Sequence, residues 1–147
     1  LTLALVGVCA MVVQGAGVGP IVKRLGERRA LLLGLASGAL GFFIYGAAPT
    51  GPLFWLGIPV MSLWGVAGAA IQALTTQLVA PDQQGQLQGA TNSVNSIAQM
   101  LGPFLFTLTF AYFISDGAPF KMPGAPFLLA AALLGLGLMI AWRTLKK

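Results

Sequence analysis

Four amide side chains in the second half of the chain are spaced so that they share one face of a helix. Gln88, Asn92, Asn95 and Gln99 follow the spacing i, i+4, i+7, i+11. At about 100° per residue, these positions form a narrow polar stripe. A primary amide both donates and accepts hydrogen bonds, so the stripe could bind a polar solute or join one helix to another.

Five segments of the chain are apolar and long enough to hold such amides inside a membrane. A helix needs about 20 apolar residues to cross about 30 Å of hydrocarbon, and charge-free runs of that length recur along the chain. Pro59 predicts an interruption of the third segment, and Pro103 predicts a kink in the fourth. The predicted helices are residues 1–22, 30–48, 53–80, 86–115 and 124–142. The predicted fold class is therefore all-α, a polytopic transmembrane helix bundle.

The composition excludes a water-soluble domain. Of the 147 residues, 57% are hydrophobic and 7% are charged, whereas soluble domains are about a quarter charged. The net charge of +5 comes largely from two short basic clusters without interleaved aromatic residues, so nucleic acid is not an expected partner. The expected surroundings are the lipid bilayer, and the expected location is the cell inner membrane, as a multi-pass protein.

The basic residues predict the orientation of the helices, because such residues collect in short cytoplasmic loops. The basic cluster at residues 23–29 is separated from the basic C-terminal tail by four predicted spans. Four crossings put both clusters on one side, so seven of the eight basic residues are predicted to be cytoplasmic and Lys121 external. The charge distribution therefore agrees with five crossings.

Pairs of glycines predict close packing between some of these helices. Gly15 and Gly19 are four residues apart, as are Gly34 and Gly38. Small residues at this spacing let two helix backbones approach each other in a membrane.

Three amides from three predicted helices lie at one depth. Gln14 lies nine residues before Lys23, Gln72 nine before Pro81 and Asn95 nine after Gln86, which places each about 13 to 14 Å inside the cytoplasmic boundary at helical rise. An amide facing lipid would lack hydrogen-bond partners at a cost of a few kcal/mol, so these amides face other helices or an aqueous pathway. In the first alternative the amides only hold the helices together, through hydrogen bonds worth about 1 kcal/mol each. The pathway interpretation gives the candidate substrate-pathway residues Gln14, Gln72, Asn92, Asn95, Gln99 and the more deeply placed Trp64.

The residues that catalysis would need are missing from the predicted spans. No charged residue lies inside any span, the chain has no histidine, and Cys9 is its single cysteine. An intramembrane enzyme would need a nucleophile with a base, paired carboxylates or metal ligands at depth. We therefore predict no enzymatic activity, no metal and no cofactor, whereas a noncatalytic membrane scaffold remains an alternative.

Two stretches of the chain resemble a known transporter family. Residues 19–29, with the sequence GPIVKRLGERR, resemble the basic glycine-rich loop of major facilitator transporters, in the copy that joins helices eight and nine. Residues 72–103, which include PDQQG at 81–85, resemble the stretch that joins helices ten and eleven of tetracycline-resistance exporters. The resemblance implies that the chain is the C-terminal part, helices eight to twelve, of a twelve-helix major facilitator fold. The missing N-terminal helices would then be its partners.

The resemblance also implies a function, which is proton-coupled efflux of small, drug-like amphiphilic compounds by a secondary transporter. A small-molecule substrate and protons are the implied partners, and transport of another small metabolite is the alternative. Tetracycline exporters are described with a histidine in helix eight and an acid in helix nine. This chain has no histidine, and residues 36–41 contain no acid, so we expect related efflux rather than tetracycline as the solute. Any proton-relay carboxylates are expected in the missing N-terminal part.

A cytoplasmic gate is a further implication of the resemblance, because the family's basic loop contacts neighbouring helix ends when the cytoplasmic side is closed. Arg24 and Asp82 end the first and third predicted spans on the same side, where opposite charges could latch the helices together. The alternative is that the basic cluster only sets orientation and Asp82 only caps a helix. The predicted gate residues are Lys23, Arg24, Arg28 and Asp82.

Overall fold

The protein is a bundle of α-helices in the computed structural model, which describes residues 2–48, 50–115, 117 and 121–145. No strand occurs in these ranges. A π-helical turn, Val13–Gly17, joins α1 to α2, and a 3-10 turn, Pro81–Gln83, precedes α6. The helices are α1 (Thr2–Val12), α2 (Val18–Leu25), α3 (Glu27–Ala47), α4 (Gly51–Ser62), α5 (Gly65–Gln77), α6 (Gln84–Ile114) and α7 (Ala125–Leu145). Parts of the predicted helix ends and loops lie outside the described residues, namely Leu1, Pro49, Asp116, Pro119, Lys146 and Lys147.

These elements form five stretches that are long and apolar enough to cross a membrane. The spans are Val6–Leu25, Glu27–Ala47, Gly51–Gln77, Pro81–Ile114 and Ala125–Leu145. The all-α fold with five membrane-crossing helices is therefore confirmed, and the chain is a multi-pass membrane protein.

The boundary between the first two spans is tighter than the sequence predicted. Residues 23–29 were expected to separate two helices, yet all of them except Gly26 are helical. Gly26 has a φ of +76°, a conformation that costs glycine little and other residues much more. Lys23 and Arg24 form the last turn of α2, and Glu27 begins α3. Each charge opposes the partial charge of its helix end, which favours the helical state.

The third span is broken at a different place from the predicted one. α4 continues through Pro59 to Ser62, and the break lies at residues 63–64. There the backbone N–H of Trp64 donates to the carbonyl of Met61 at 3.0 Å, three residues back instead of four, which is the geometry of a 3-10 turn. The interruption predicted at Pro59 is thus wrong by about one turn, because a proline removes a single donor without ending this helix. α5 also ends at Gln77, before the predicted end at residue 80.

The core of the bundle lies where α3 packs against α4, α5 and α7. A Cβ placed on Gly34 would lie 2.5 Å from the backbone nitrogen of Ala67, so the two helix backbones are in contact. Close packing is confirmed at Gly34 and Gly38, whereas a Cβ on Gly15 or Gly19 would meet no neighbouring atom within 4 Å. The buried cluster at the crossing of α3 and α5 consists of Ala30, Leu31, Val66, Ala67 and Ala70.

The helix that carries the amide stripe lies at the edge of the bundle. α6 runs as one helix from Gln84 to Ile114, through Pro103, and none of its 31 residues is buried. Its amides therefore sit on a surface that the other described helices leave largely uncovered.

We expect Gly34→Ala to destabilise the bundle, because the added methyl group would collide with the backbone of Ala67. Overpacking of this kind costs about 1 to 3 kcal/mol. The matched control is Gly137→Ala in α7, where an added Cβ meets no neighbouring atom within 4 Å. Thermal unfolding of the whole protein in detergent should have a lower midpoint for Gly34→Ala only. Equal midpoints for the two variants would contradict the proposed packing.

Candidate functional site

A cavity of about 450 Å³ lies between the first span, α3 and the broken third span. We call it the Gln14 cavity. Gln14 belongs to the π-helical turn, Tyr45 to α3, and Trp64 to the break between α4 and α5. The other lining residues are small or apolar apart from one serine, and they are Val6, Ala10, Ile58, Met61, Ser62, Gly65 and Gly68.

Two irregular helix segments position this cavity. A π turn inserts an extra residue into a helix and is often found at functional sites, and here it carries Gln14. Gly65 begins α5 directly after the break, and a Cβ on it would lie 3.3 Å from Cγ of Gln14. The irregular parts of two neighbouring spans therefore touch each other, and the cavity lies at their contact.

Aromatic contacts hold the two rings that line the Gln14 cavity. The Tyr45 ring stacks on Phe54, with centroids 4.3 Å apart and an interplanar angle of 19°. The Trp64 ring meets Phe42 edge to face at 5.8 Å and 68°. Phe42 also lies 6.4 Å from Tyr45. These contacts restrict both rings to defined orientations, since such pairs prefer stacked or edge-to-face geometry.

A second cavity, of about 610 Å³, lies between α5 and α6, and we call it the Gln72 cavity. Gln72, which lines it, begins a chain of amides in which Nε2 of Gln72 donates to Oε1 of Gln88 at 3.1 Å. Nε2 of Gln88 then donates to Oδ1 of Asn92 at 3.4 Å. These bonds link the two helices through neutral side chains. The lining residues are Gly68, Ile71, Gln72, Thr75, Ala90, Thr91, Val94 and Asn95.

A third space, of about 550 Å³, lies along α6, and we call it the α6 groove. Asn95 and Gln99 contribute its amides, and Pro103 and Phe106 contribute apolar surface. Ala98 and Gly102 complete its lining.

The three spaces adjoin one another through shared residues. Gly68 lines both the Gln14 cavity and the Gln72 cavity, and Asn95 lines both the Gln72 cavity and the α6 groove. A Cβ on Gly68 would meet nothing within 4 Å, so the space beside it is open. Among the described residues, none that lines these three spaces is charged. The arrangement can therefore accept a solute through hydrogen bonds and apolar contact.

The structure places five of the six candidate pathway residues in the linings of these adjoining spaces. Gln14 and Trp64 line the first cavity, Gln72 and Asn95 the second, and Gln99 the groove. Asn92 lines none of the three spaces, and its Oδ1 accepts a hydrogen bond from Nε2 of Gln88. Gln14 and Gln72 do not line the same cavity, although Gly68 is common to both. That a solute passes these residues remains a prediction.

The predicted gate residues lie at one end of the bundle, which we call the basic end. Arg24 is exposed in the last turn of α2 and Asp82 is exposed in the 3-10 turn before α6. Within the described ranges no ion pair joins Arg24 to Asp82, and Lys23 is exposed beside Arg24. Arg28, at the start of α3, donates from Nη1 to the backbone carbonyl of Leu145 at 3.4 Å.

Sequence reasoning missed several residues of this arrangement. Oε1 of Glu27 accepts a hydrogen bond from Nε2 of Gln77 at 2.8 Å, which joins α3 to α5 across 50 positions and leaves no local signal. Tyr45 lies in an apolar stretch with nothing to distinguish it from the neighbouring aromatic residues. Gly68 lacks a side chain and could be recognised only from its place between two cavities.

Comparison with known proteins agrees with a transporter architecture. The family model described as Major Facilitator Superfamily matches residues 1–147, and the chain belongs to this family. Over 114 residues, 76% of the chain, it is 35% identical to the class C tetracycline resistance protein of Escherichia coli. Over the same length it is 34% identical to the class G tetracycline resistance protein of Vibrio anguillarum. The resemblance to tetracycline-resistance exporters is thereby confirmed.

A human relative covers more of the chain at lower identity. Hippocampus abundant transcript-like protein 1 of Homo sapiens is 28% identical over 153 aligned residues, which include 95% of the chain. The chain spans 28% of each of the two bacterial relatives and 30% of the human one. It therefore corresponds to less than a third of each of these proteins. No solved structure matches the chain.

We expect cysteines at Gln14, Gln72 and Asn95 to react with a membrane-impermeant thiol reagent, because each residue lines an open space and carries an amide that can bind water. The substitutions belong in a Cys9→Ser background of the whole protein, since Cys9 is the only cysteine of this chain. Leu136→Cys in α7 is the control, because its exposed side chain is apolar and lines none of the three spaces. Labelling at Leu136 with none at the three amide positions would contradict an aqueous pathway.

Proposed function

We propose that the whole protein containing this chain is a secondary transporter that exports small amphiphilic solutes in exchange for protons. The observation that carries the proposal is the series of uncharged, amide-bearing spaces joined at Gly68 and Asn95. Neutral amides suit a solute that forms hydrogen bonds, because they bind it without the cost of burying an uncompensated charge. The bacterial tetracycline resistance proteins support export as the direction and the inner membrane as the location.

In this proposal the chain forms helices eight to twelve, and the remaining helices complete the pathway. Carriers of this kind bind their solute near the midplane between two halves. α6 has no buried residue, and its amide stripe would face the missing half, because amides are not stable against lipid. The chain thus supplies one wall of the route.

Proton coupling would reside elsewhere in the protein. The chain has three acidic residues, of which Glu27 begins α3 and Asp82 lies in the 3-10 turn. Neither is at the depth of the amides. Since an acid within a span is the usual mark of a proton relay, we assign the relay to the helices outside this chain.

The basic end would act as the cytoplasmic gate. Arg28 and Glu27 already tie the start of α3 to the ends of α7 and α5. Lys23, Arg24 and Asp82 are exposed at the same end and could contact the missing half when the transporter closes. Contacts of this kind that form in only one state shift the balance between two states.

Transport by inverted membrane vesicles with an acidic interior tests the proposed function. The neutral amphiphiles Nile red and N-phenyl-1-naphthylamine should accumulate inside, and their addition should raise the internal pH, because each solute that enters the vesicle is exchanged for protons that leave it. A pH-sensitive acridine dye reports that change. Vesicles that contain the protein but respond like protein-free vesicles would contradict proton-coupled export of amphiphiles.

We expect Asn95→Leu to slow this transport about threefold to tenfold, the effect of losing about one hydrogen bond. Asn95 lines two of the three spaces, whereas Ile97 on the same helix is exposed and lines none of them. Ile97→Leu is therefore the control and should transport like the parent protein. The amount of each variant in the membrane must be equal, and equal transport rates would contradict a role for the amide.

We also expect Gly68→Leu to obstruct the connection between the two cavities, because its side chain would fill open space. The rate for Nile red, the larger probe, should fall more than the rate for N-phenyl-1-naphthylamine. Gly89→Leu is the matched control, since a Cβ on Gly89 also meets nothing within 4 Å and Gly89 lines none of the three spaces. Loss of transport in both variants would indicate a general effect of leucine and not a passage at Gly68.

A further inference from the structure

We infer that the Gln14 cavity is a binding site for a neutral, planar aromatic solute that carries a hydroxyl or carbonyl group. This inference rests on the proposed transport function and adds a solute class and a location. The cavity is walled by the first span, α3 and the third span of this chain. The other two spaces both depend on α6, whose residues are all at least partly exposed. The Gln14 cavity is therefore the one of these three spaces whose walls do not include α6.

The walls of the cavity favour a flat ring. Tyr45 and Trp64 both line it, and Phe54 and Phe42 hold their rings in place at 4.3 Å and 5.8 Å. Rings whose orientation is already fixed lose little conformational freedom when a ligand binds. They also offer π faces and edges to an aromatic partner, which a saturated ring system cannot use in the same way.

The polar groups of the cavity favour a neutral solute with one hydrogen-bonding substituent. Gln14 is an exposed residue that lines the cavity, and its amide forms no hydrogen bond to another described residue, so its donor and its acceptor are available to a ligand. The Ser62 hydroxyl donates to the carbonyl of Ile58 at 2.9 Å and keeps lone pairs that can accept. No described lining residue is charged. A solute with a full charge would therefore lose hydration without gaining a counter-charge.

The size of the cavity and the irregular helices around it agree with a small ligand. A volume of about 450 Å³ lies within the range of about 300 to 1,000 Å³ that is typical of small-molecule sites. The π turn at Gln14 and the break at Trp64 meet at this point. Discontinuous helices form the binding sites of several kinds of transporter. Here they bring an amide and an indole ring to one space.

Protection of an introduced cysteine tests the site in the whole protein, without a proton gradient. In a Cys9→Ser background, Ser62→Cys is labelled with N-ethylmaleimide in the presence of 1-naphthol or of decahydro-1-naphthol. The two probes share a two-ring skeleton and a hydroxyl group, but only 1-naphthol is planar and aromatic. When 1-naphthol fills about two-thirds of the sites, about a third of the cysteines stay free, so labelling should be about threefold slower. Decahydro-1-naphthol should slow labelling much less.

The matched control position is Ser93→Cys. The Ser93 hydroxyl also donates to a carbonyl four residues back at 2.9 Å, but Ser93 lines none of the three spaces. Its labelling should be the same with and without 1-naphthol. Adding Trp64→Leu should remove the protection at Ser62→Cys, and Trp64→Phe should keep most of it. Equal protection by both probes, equal protection at both cysteines, or no protection would overturn the assignment.

The binding result and the transport result can fail separately. If 1-naphthol protects Ser62→Cys as expected but amphiphiles cause no proton movement in vesicles, the site is supported and the proposed transport function is contradicted. If transport occurs but Ser62→Cys is not protected, the transport function stands and this site assignment is wrong.

Discussion

Close contact between glycines of α3 and the third span is the interaction on which the rest of the bundle depends. A Cβ on Gly34 would meet the backbone of Ala67, and one on Gly41 would lie 3.0 Å from Cα of Met61. Lipid chains are as apolar as the helices, so helix association in a membrane relies on such close packing more than on the hydrophobic effect. The position of the third span, and of each residue it carries, therefore follows from the absence of side chains on one face of α3.

The Gln14 cavity is a consequence of that packing. Between those two glycines, a Cβ on Gly38 would lie 2.8 Å from Cδ1 of Trp64, so the indole ring rests on bare helix backbone. The ring fixes the short broken section between α4 and α5, and Gly65 after it lets Gln14 approach closely. Glycines next to a bulky indole ring thus create the Gln14 cavity. No polar attraction is needed to form it, which leaves the Gln14 amide available to a ligand.

The number of spans and the close packing at Gly34 and Gly38 could be predicted from the sequence. Both follow from hydropathy and four-residue spacing, which are properties of a single helix. The break at residues 63–64 could not be predicted, because no proline or charge marks it and its position depends on where Trp64 packs. Depth along a helix also follows from spacing alone. Which cavity an amide lines depends on the rotation of each helix against its neighbours, so Gln14 and Gln72 line different cavities although the sequence predicts a common depth for them.

The centre and the basic end of the bundle differ in how firmly they are held. At the basic end, α3 is tied to α5 by the bond between Glu27 and Gln77 at 2.8 Å, and exposed contacts of charged groups are worth about 0 to 1 kcal/mol. Gly68 is nine residues from Gln77, about 14 Å deeper at helical rise, close to the buried glycine contacts. Only Gly26 separates α2 from α3. Exchange of the exposed hydrogen bonds at the basic end would leave the glycine contacts deeper in α3 unchanged, which is the property that the proposed gate requires.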